Sequence, residues 1–224
     1  MPQARQTRFP SAEQVAADLV AAFRDLPAAI LSDNLAGLVG TVNLRPFHRP
    51  GHRMVGTAVT VRVRQGDNLV LPRALDYVRA GDVLVVDAGG LDGQAITGKI
   101  MIRYLETIGA AGIVVDGAIR GGDEIGRRDF PAYARGLTPR GPYKSGPGEI
   151  NVPVSIDGMP VRPGDLVVGD GDGVIAFPPD AAPRLRERAE AQLRKEEQNV
   201  RDLLAGRWDR SWIIEAERKQ GIAD

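Results

Sequence analysis

The sequence predicts an α/β domain centred on a parallel βαβ unit. Two β-branched runs, GDVLVVDAGG and AAGIVVDG, end respectively in Asp87 with two glycines and in Asp116 with Gly117. Between them, TGKIMIRYLETIG places Met101, Leu105 and Ile108 at helical spacing. Strand, helix and strand of these lengths form a right-handed crossover with parallel strands. Both Asp-bearing ends therefore fall on one edge of the sheet, where open α/β folds usually place ligands.

The remaining elements follow in chain order. Ser11 with Gln14 three residues on forms a capping-box pattern ahead of QVAADLVAAF, in which Val15, Leu19 and Phe23 recur at helical spacing. After the loop NLRPFHRPGHR, Val59, Val61 and Val63 alternate with Thr60, Arg62 and Arg64, the pattern of a half-buried strand. Asp67 is placed to cap a helix through LVLPRALDYVRA, with Pro72 in its first turn. Downstream of the βαβ unit, INVPVSIDGMPVRPGDLVVGDGDGVIAFP carries short strands separated by Gly, Pro and Asp turns. From about Asp180 to Ala205 the chain reads as a charged helix with a solvated face. The tail from residue 207 to 224 holds Trp208 and Trp212, four apart, beside Ile213 and Ile214, a composition that suits a subunit interface as well as internal packing. No solenoid-scale repeat or low-complexity linker divides the chain, so residues 1–224 are expected to form a single domain, with a core of about 14–206 and a helical tail.

Composition narrows the function. Lysine plus arginine and aspartate plus glutamate each number 29, so no global field favours nucleic acid or an anionic membrane. The absence of cysteine excludes disulfides, thiolate zinc sites and a cysteine nucleophile. No apolar run approaches the roughly 20 residues of a membrane span, and the polar start has no apolar signal segment. These features suit a cytoplasmic protein.

The candidate site is an anion pocket. Thr97 is placed to cap the helix beginning at Gly98, leaving the amides of Gly98, Lys99 and Ile100 as donors at the positive end of a helix dipole. Lys99 opposes that dipole, which favours Asp or Glu in the first turn. Arg120, just past the second strand, carries a guanidinium fork suited to a carboxylate or phosphate. There is no GxGxxG, Walker loop or HExxH motif, and His48 and His52, separated by Pro50 and Gly51, read as solvated loop histidines rather than metal ligands.

The series MVGTAVTV, GDNLVLPRALDYVRAGDVLVVDAGG, TGKIM, GAAGIVVDGAIR, FPAYARG and KSGPGEINVPVSIDGMPVRPGDLVVGDGDGVIAFP resembles the RraA-like family in motif order, from about Gln14 to Gly206. That family includes 4-hydroxy-4-methyl-2-oxoglutarate/4-carboxy-4-hydroxy-2-oxoadipate aldolases and regulators of ribonuclease E activity. The resemblance implies a swivelling β/β/α domain with helical N- and C-terminal segments, assembled as homotrimers or homohexamers with sites between subunits. It implies that Gly98, Lys99, Ile100 and Met101 bind the pyruvate moiety of a 2-oxo acid and that Arg120 assists. It also implies a divalent metal, Mg or Mn, held by acidic residues. Here the sequence departs from the family. Lys99 stands where the family carries an acidic residue, and Gly121 stands where the metal-binding aspartate belongs. Together the changes leave the pocket about as positive without a metal as the family pocket is with one.

Three readings follow from this departure. Lys99 takes over the electrostatic role of the metal; or Asp123 or Glu124 rebuilds a shifted metal site, with Glu197 (or Glu196) matching the glutamate that a neighbouring subunit supplies in the family; or Lys99 forms a Schiff base with the ketone. The expected function is a carbon–carbon lyase of retro-aldol or oxaloacetate-decarboxylating type, with Arg120 and Lys99 as its catalytic pair. The alternative is a noncatalytic regulator that binds protein partners.

Overall fold

The computed structural model describes residues 7–35 and 39–222; residues 1–6, 36–38 and 223–224 lie outside that description. The chain runs β1 (Thr7–Arg8), α1 (Ala17–Ala22), α2 (Ala28–Asn34), β2 (Arg45–Pro46), β3 (Met54–Val63) and α3 (Leu71–Ala74), which a 3-10 turn extends to Tyr77. There follow β4 (Asp82–Asp87), β5 (Ala95–Gly98), α4 (Lys99–Thr107), β6 (Gly112–Arg120), α5 (Gly122–Ile125) and β7 (Ala132–Leu137). The second half holds β8 (Gly148–Ile150), β9 (Val154–Ile156), β10 (Met159–Val161), β11 (Leu166–Gly169), β12 (Val174–Phe177), α6 (Ala182–Leu204) and α7 (Ser211–Lys219).

Strands β3, β4, β6 and β7 form the parallel centre of a ten-stranded sheet. The βαβ unit is β4, α4 and β6, paired in register from Val83 with Gly112 to Asp87 with Asp116. The far edge of β3 is shared, its first half by β11 and its last three residues by β8, both antiparallel. Three apolar clusters separate the layers. Val59, Val61, Leu84, Val86 and Ile113 pack with Ile102 and Leu105 of α4. On the other face, Met54, Ala58, Val83 and Val114 meet β9, β10 and β12. Beyond that layer, Phe23, Leu31 and Leu185 from the flanking helices cover Val168 and Phe177 of β11 and β12. The result is the helix, sheet, sheet and helix layering of a β/β/α domain, each interface excluding water from apolar side chains.

Four local expectations are corrected by tertiary contacts. Ser11 and Gln14 do not cap a helix: Ser11 Oγ donates to Tyr77 O (3.2 Å), Gln14 Nε2 donates to Ala80 O (2.9 Å) and Asp82 Oδ1 (2.8 Å), and α1 begins later, at Ala17. β3 is half-buried only near Arg62, because β9 covers its second face; Thr60 is fully buried and donates to Val152 O at 2.5 Å. Asp67 precedes α3 without being its N-cap, a position held by Val70. The second strand of the βαβ unit does not stop at Asp116 and Gly117 but passes through a register shift there and continues to Arg120. By contrast, the charged helix appears as α6, anchored by Ala182, Leu185 and Ala189, and every residue from Arg194 to Val200 is exposed.

The register shift in β6 is held by a buried ion network. Arg135 pairs through Nε with Asp116 Oδ1 and through NH2 with Asp157 Oδ1 at 2.7 Å, while the Asp157 amide donates to Asp116 Oδ2 at 2.8 Å. Asp157 and Gly158 form the two-residue turn joining β9 and β10, both at positive φ (52° and 86°), as hairpins of this length require. Burial alone would raise the Asp157 carboxyl, but hydrogen bonds from the Asn43 side chain and from the Asn43 and Val42 amides, with the Arg135 charge, lower it to about 2. A carboxyl lowered in the folded state stabilises fully above its unfolded value of 3.8, and that stabilisation fades as pH falls through about 2. Asp157→Asn retains a residue tolerant of positive φ while removing the charge. It is expected to cost about 2 kcal/mol at pH 7 and to flatten the decline in stability between about pH 4 and pH 2. Urea unfolding across that range is the check; an unchanged acid profile would contradict the assignment.

Candidate active site

The site is created by the extension of β6. Short β5 lies parallel to the last residues of β6, which makes Gly98 and Arg120 register partners although 22 positions separate them in sequence. Gly98 ends β5 and is the N-cap of α4, with extended backbone (φ −162°, ψ −171°) and no side-chain hydrogen bond closing the helix end. Amides of the first turn of α4 are thus presented beside a guanidinium. A Cβ at Gly98 would lie 3.0 Å from Arg120 Cγ, and one at Gly141 would lie 3.3 Å from Arg120 NH1. The arginine side chain is therefore seated between two residues without side chains. No carboxylate of the described residues pairs with it.

These groups open into a cleft of about 840 Å³. Gly98, Lys99, Ile100, Met101 and Arg120 all line it, as do Asp123 and Glu124. Thr97 also lines the cleft, but as a buried β5 residue rather than the helix cap expected from sequence, and its Oγ1 has no hydrogen-bond partner among the described residues. Apolar Leu69, Pro72, Ile100 and Leu137 form much of the wall, a mixture of apolar surface with a few convergent polar groups that suits a small ligand.

Lys99 is exposed in the first turn of α4, and its Nζ stands 3.6 Å from Glu124 Oε2. The other Glu124 oxygen accepts a 2.6 Å hydrogen bond from Arg103 Nε and lies 4.0 Å from Arg128 NH1. The Arg103 hydrogen bond, opposed by desolvation and reinforced by the Arg103 and Lys99 charges, holds the Glu124 carboxyl below its usual range. Glu124 thus balances cations. Gly121, at φ 85°, supplies no side-chain ligand, and a Cβ there would lie 3.6 Å from Lys99 Cβ. Glu197 sits on the exposed stretch of α6 and does not line the cleft. Among the described residues, no group of three His, Cys, Asp or Glu side chains is gathered to hold a metal. With Glu124 paired to Arg103 and Lys99, one chain offers a hard divalent ion, which takes several oxygen ligands, a single uncommitted carboxylate in the cleft among the described residues, Asp123.

Among the cleft residues not singled out from sequence are Asn68 and Lys144. Asn68 is buried, and its Nδ2 donates to Ile96 O at 2.9 Å. Lys144, within KSGPGEI, adds a third cation to Lys99 and Arg120. Its only local signal was a lysine in a Gly- and Pro-rich loop. The two histidines belong elsewhere. His48 is not solvated: it is buried, Nδ1 accepts from the Ala132 amide (3.1 Å), Nε2 lies 3.0 Å from His52 O, and the ring meets Tyr133 edge-on. His52 Nε2 lies 3.1 Å from Asp129.

The fold has counterparts among known proteins. The family model for RraA-like proteins, described as Aldolase/RraA, matches residues 28–176, and the chain belongs to the RraA-like family. A Halalkalibacterium halodurans protein provisionally named 4-hydroxy-4-methyl-2-oxoglutarate aldolase is 39% identical over 189 residues, covering 84% of this chain and 90% of that one. A Thermus thermophilus protein named 4-hydroxy-4-methyl-2-oxoglutarate aldolase is 36% identical over 126 residues, covering 56% and 76%. Among solved structures, Streptomyces coelicolor RraAS2, described as an unusual member of the RNase ES inhibitor RraA family, superposes with a TM-score of 0.75 at 30% identity, covering 83% of this chain and 97% of that one.

If the Arg120 guanidinium forks onto a ligand carboxylate, Arg120→Lys keeps the charge but loses the paired geometry. Loss of a charge-assisted hydrogen bond is worth about 1.5–3 kcal/mol, so oxalate affinity measured by calorimetry is expected to fall at least ten-fold. Equal affinities would place Arg120 outside the ligand site.

Proposed function

We propose that this RraA-like protein binds a 2-oxo acid and acts as a carbon–carbon lyase, by retro-aldol cleavage or oxaloacetate-type decarboxylation, with Lys99 supplying the positive charge that a metal supplies elsewhere in the family. The observation that carries this reading is the register pairing of Gly98 with Arg120, which sets a guanidinium beside the uncapped start of α4. The aldolase names of relatives such as the Thermus thermophilus protein support the reaction class.

In the retro-aldol direction, the substrate carboxylate sits on the α4 amides and Arg120. A water or the cleft carboxylate Asp123 removes the proton from the substrate hydroxyl, and the carbon–carbon bond breaks as that oxygen becomes a carbonyl. The bonding electrons move onto the 2-oxo group as an enolate, whose oxygen faces Lys99 and Arg120. Protonation at carbon then releases the 2-oxo acid. Positive groups placed where negative charge develops lower the barrier, because their orientation is fixed by the fold beforehand. Decarboxylation of oxaloacetate uses the same enolate, with carbon dioxide as the departing fragment.

The regulator reading is favoured by the likeness to solved structures of RraA inhibitor proteins, together with the lack of a metal-holding cluster among the described residues. Ligand response discriminates: pyruvate, oxalate or oxaloacetate raises the thermal midpoint of an anion-binding protein by mass action, whereas a protein with no anion site does not respond. Among the described residues, no helix is long and apolar enough to cross a membrane. A cysteine-free chain fits work in the reducing cytoplasm.

The lysine reading has a direct test. Wild-type binding and lyase activity should persist in EDTA, and Lys99→Glu combined with Gly121→Asp should convert the protein to dependence on Mg or Mn by restoring two oxygen ligands beside Arg120. Aspartate is among the side chains that best tolerate the positive φ of Gly121. Activity lost to chelator and restored by Mg or Mn would overturn the metal-independent site and implicate Asp123 with Glu197 from a neighbouring copy. Borohydride trapping at Lys99 with pyruvate would replace the electrostatic role by a Schiff base.

Assembly as a homotrimer or homohexamer forms part of the proposal. Helix α7 buries none of its residues within the chain, leaving Trp212 and Ile214 exposed beside Trp208. Light scattering should give a multiple of the 24.0 kDa chain mass, and truncation before Trp208 should weaken the assembly, since buried aromatics anchor interfaces. A monomeric mass at micromolar concentration would reject this assignment.

A further inference from the structure

The two walls of the cleft are joined through adjacent residues of one turn. Asp67, 2% exposed, receives three backbone amides: Leu69 N on Oδ1 at 2.8 Å, and Ser145 N and Gly146 N on Oδ2, each at 2.7 Å. The same strip is zipped by backbone, with Tyr143 N donating to Gly66 O (2.8 Å) and Asn68 N donating to Tyr143 O (3.0 Å). Lys144, which lines the cleft, lies between the residues so held. The next residue of the turn faces the opposite wall, since Asn68 Nδ2 donates to Ile96 O of β5, two residues ahead of Gly98.

We infer that Asp67 is a positioning residue: its carboxylate latches the loop at residues 143–146, and so sets where the Lys144 ammonium stands relative to Arg120 and the start of α4. The physical ground is the acceptor arithmetic of a buried carboxylate. Both oxygens are engaged on backbone donors belonging to two separate segments, and a charged acceptor makes stronger hydrogen bonds than a neutral one. Burial alone would raise the Asp67 carboxyl, yet the amides of Leu69, Ser145 and Gly146, with the Arg64 charge, keep it below the ordinary value. An asparagine has one oxygen and one NH2 group. It can serve Leu69 or the loop, and the end carrying NH2 then faces an amide donor. Lys144 has the flexible stem that makes lysine placement depend on its backbone, so a loop released from Asp67 spreads the ammonium over more positions. The consequence is a graded effect on a ligand that spans both walls, such as a 2-oxo acid with a second anionic group.

This inference rests on the proposed 2-oxo acid site, and the experiment separates the two. Hydrogen exchange at Ser145 and Gly146, together with tryptic cleavage after Lys144, reads the latch without ligand. Calorimetry with oxalate and oxaloacetate reads the site in wild type, Asp67→Asn, Lys144→Met and the double variant. Asp67→Asn is expected to speed exchange at both amides at least ten-fold and to weaken oxaloacetate binding about five-fold. In the Lys144→Met background, the same Asp67 change should leave binding within two-fold, because the group being positioned is gone. Unchanged exchange would overturn the latch. Faster exchange with an equal binding loss in both backgrounds would overturn the action through Lys144. Wild type that binds neither probe would overturn the 2-oxo acid site and, with it, the ligand-positioning role, while faster exchange would still establish the latch. If Asp67→Asn fails to fold, Gly146→Ala presses on the same contact, since its Cβ would lie 3.0 Å from Asp67 Cγ and 2.7 Å from Arg64 Cδ; the same exchange and binding outcomes then decide.

Discussion

The site depends on β6 continuing past Asp116. A strand that ended there would leave Arg120 in a loop and β5 without a neighbour. The register instead shifts at Asp116 and Gly117, and the last residues of β6 pair with β5. Two features permit this. Gly117 is packed so closely that a Cβ would lie 3.0 Å from Ala88 Cβ and 3.1 Å from Leu91 O, so a side chain at the bend would press on both neighbours. Asp116, at the same bend, is held by Arg135 and by the Asp157 amide. The ion network at the sheet edge and the cleft beyond it are thus successive consequences of one strand's path.

The electrostatics of the cleft follow from which charges already have partners. Arg135 is committed to Asp116 and Asp157, and Arg103 to Glu124. Lys99 shares Glu124 with Arg103 at a longer distance, and is more than half exposed. An exposed pair of this kind contributes little to stability and is readily exchanged for another anion. Arg120 has no such carboxylate among the described residues. An incoming carboxylate therefore meets one unpaired guanidinium, amides at a helix start, and a lysine whose resident partner is already satisfied by Arg103. On the proposed reading, in which Lys99 and Gly121 replace acidic residues, an added ammonium and a removed carboxylate shift the local charge in the same direction, with Glu124 limiting repulsion between Lys99 and Arg103.

The layers behind the cleft are mainly apolar and contribute rigidity. Both faces of the parallel strands are covered, and close-packed interiors transmit position because they have few voids into which side chains can relax. The helices of the outer layer pack through Phe23, Leu31 and Leu185, but α7 has no such inner face within the chain. Apolar burial along α6 therefore ends in its first half, at Ala189, and the tail beyond exposes Trp212 and Ile214.

What the sequence by itself determined is written in contiguous residues. The β-branched runs, the helical spacing of Met101, Leu105 and Ile108, and the glycine before Lys99 are enough to place a βαβ unit and the sheet edge on which the cleft lies, because local periodicity dictates which faces seek burial. Motif order was equally legible, and it identified the family. Tertiary structure decided what depends on long-range register. It gave the helix end to Gly98 rather than Thr97, carried β6 to Arg120, buried His48 against Tyr133 and drew Ser11 and Gln14 away from capping. It also brought Asp67 to the loop holding Lys144, 77 positions further along the chain. Hydrogen-bond partners this remote leave no periodic trace, since one carboxylate accepts equally well from its own turn or from a distant amide, and only the packed sheet brings the distant amide within reach.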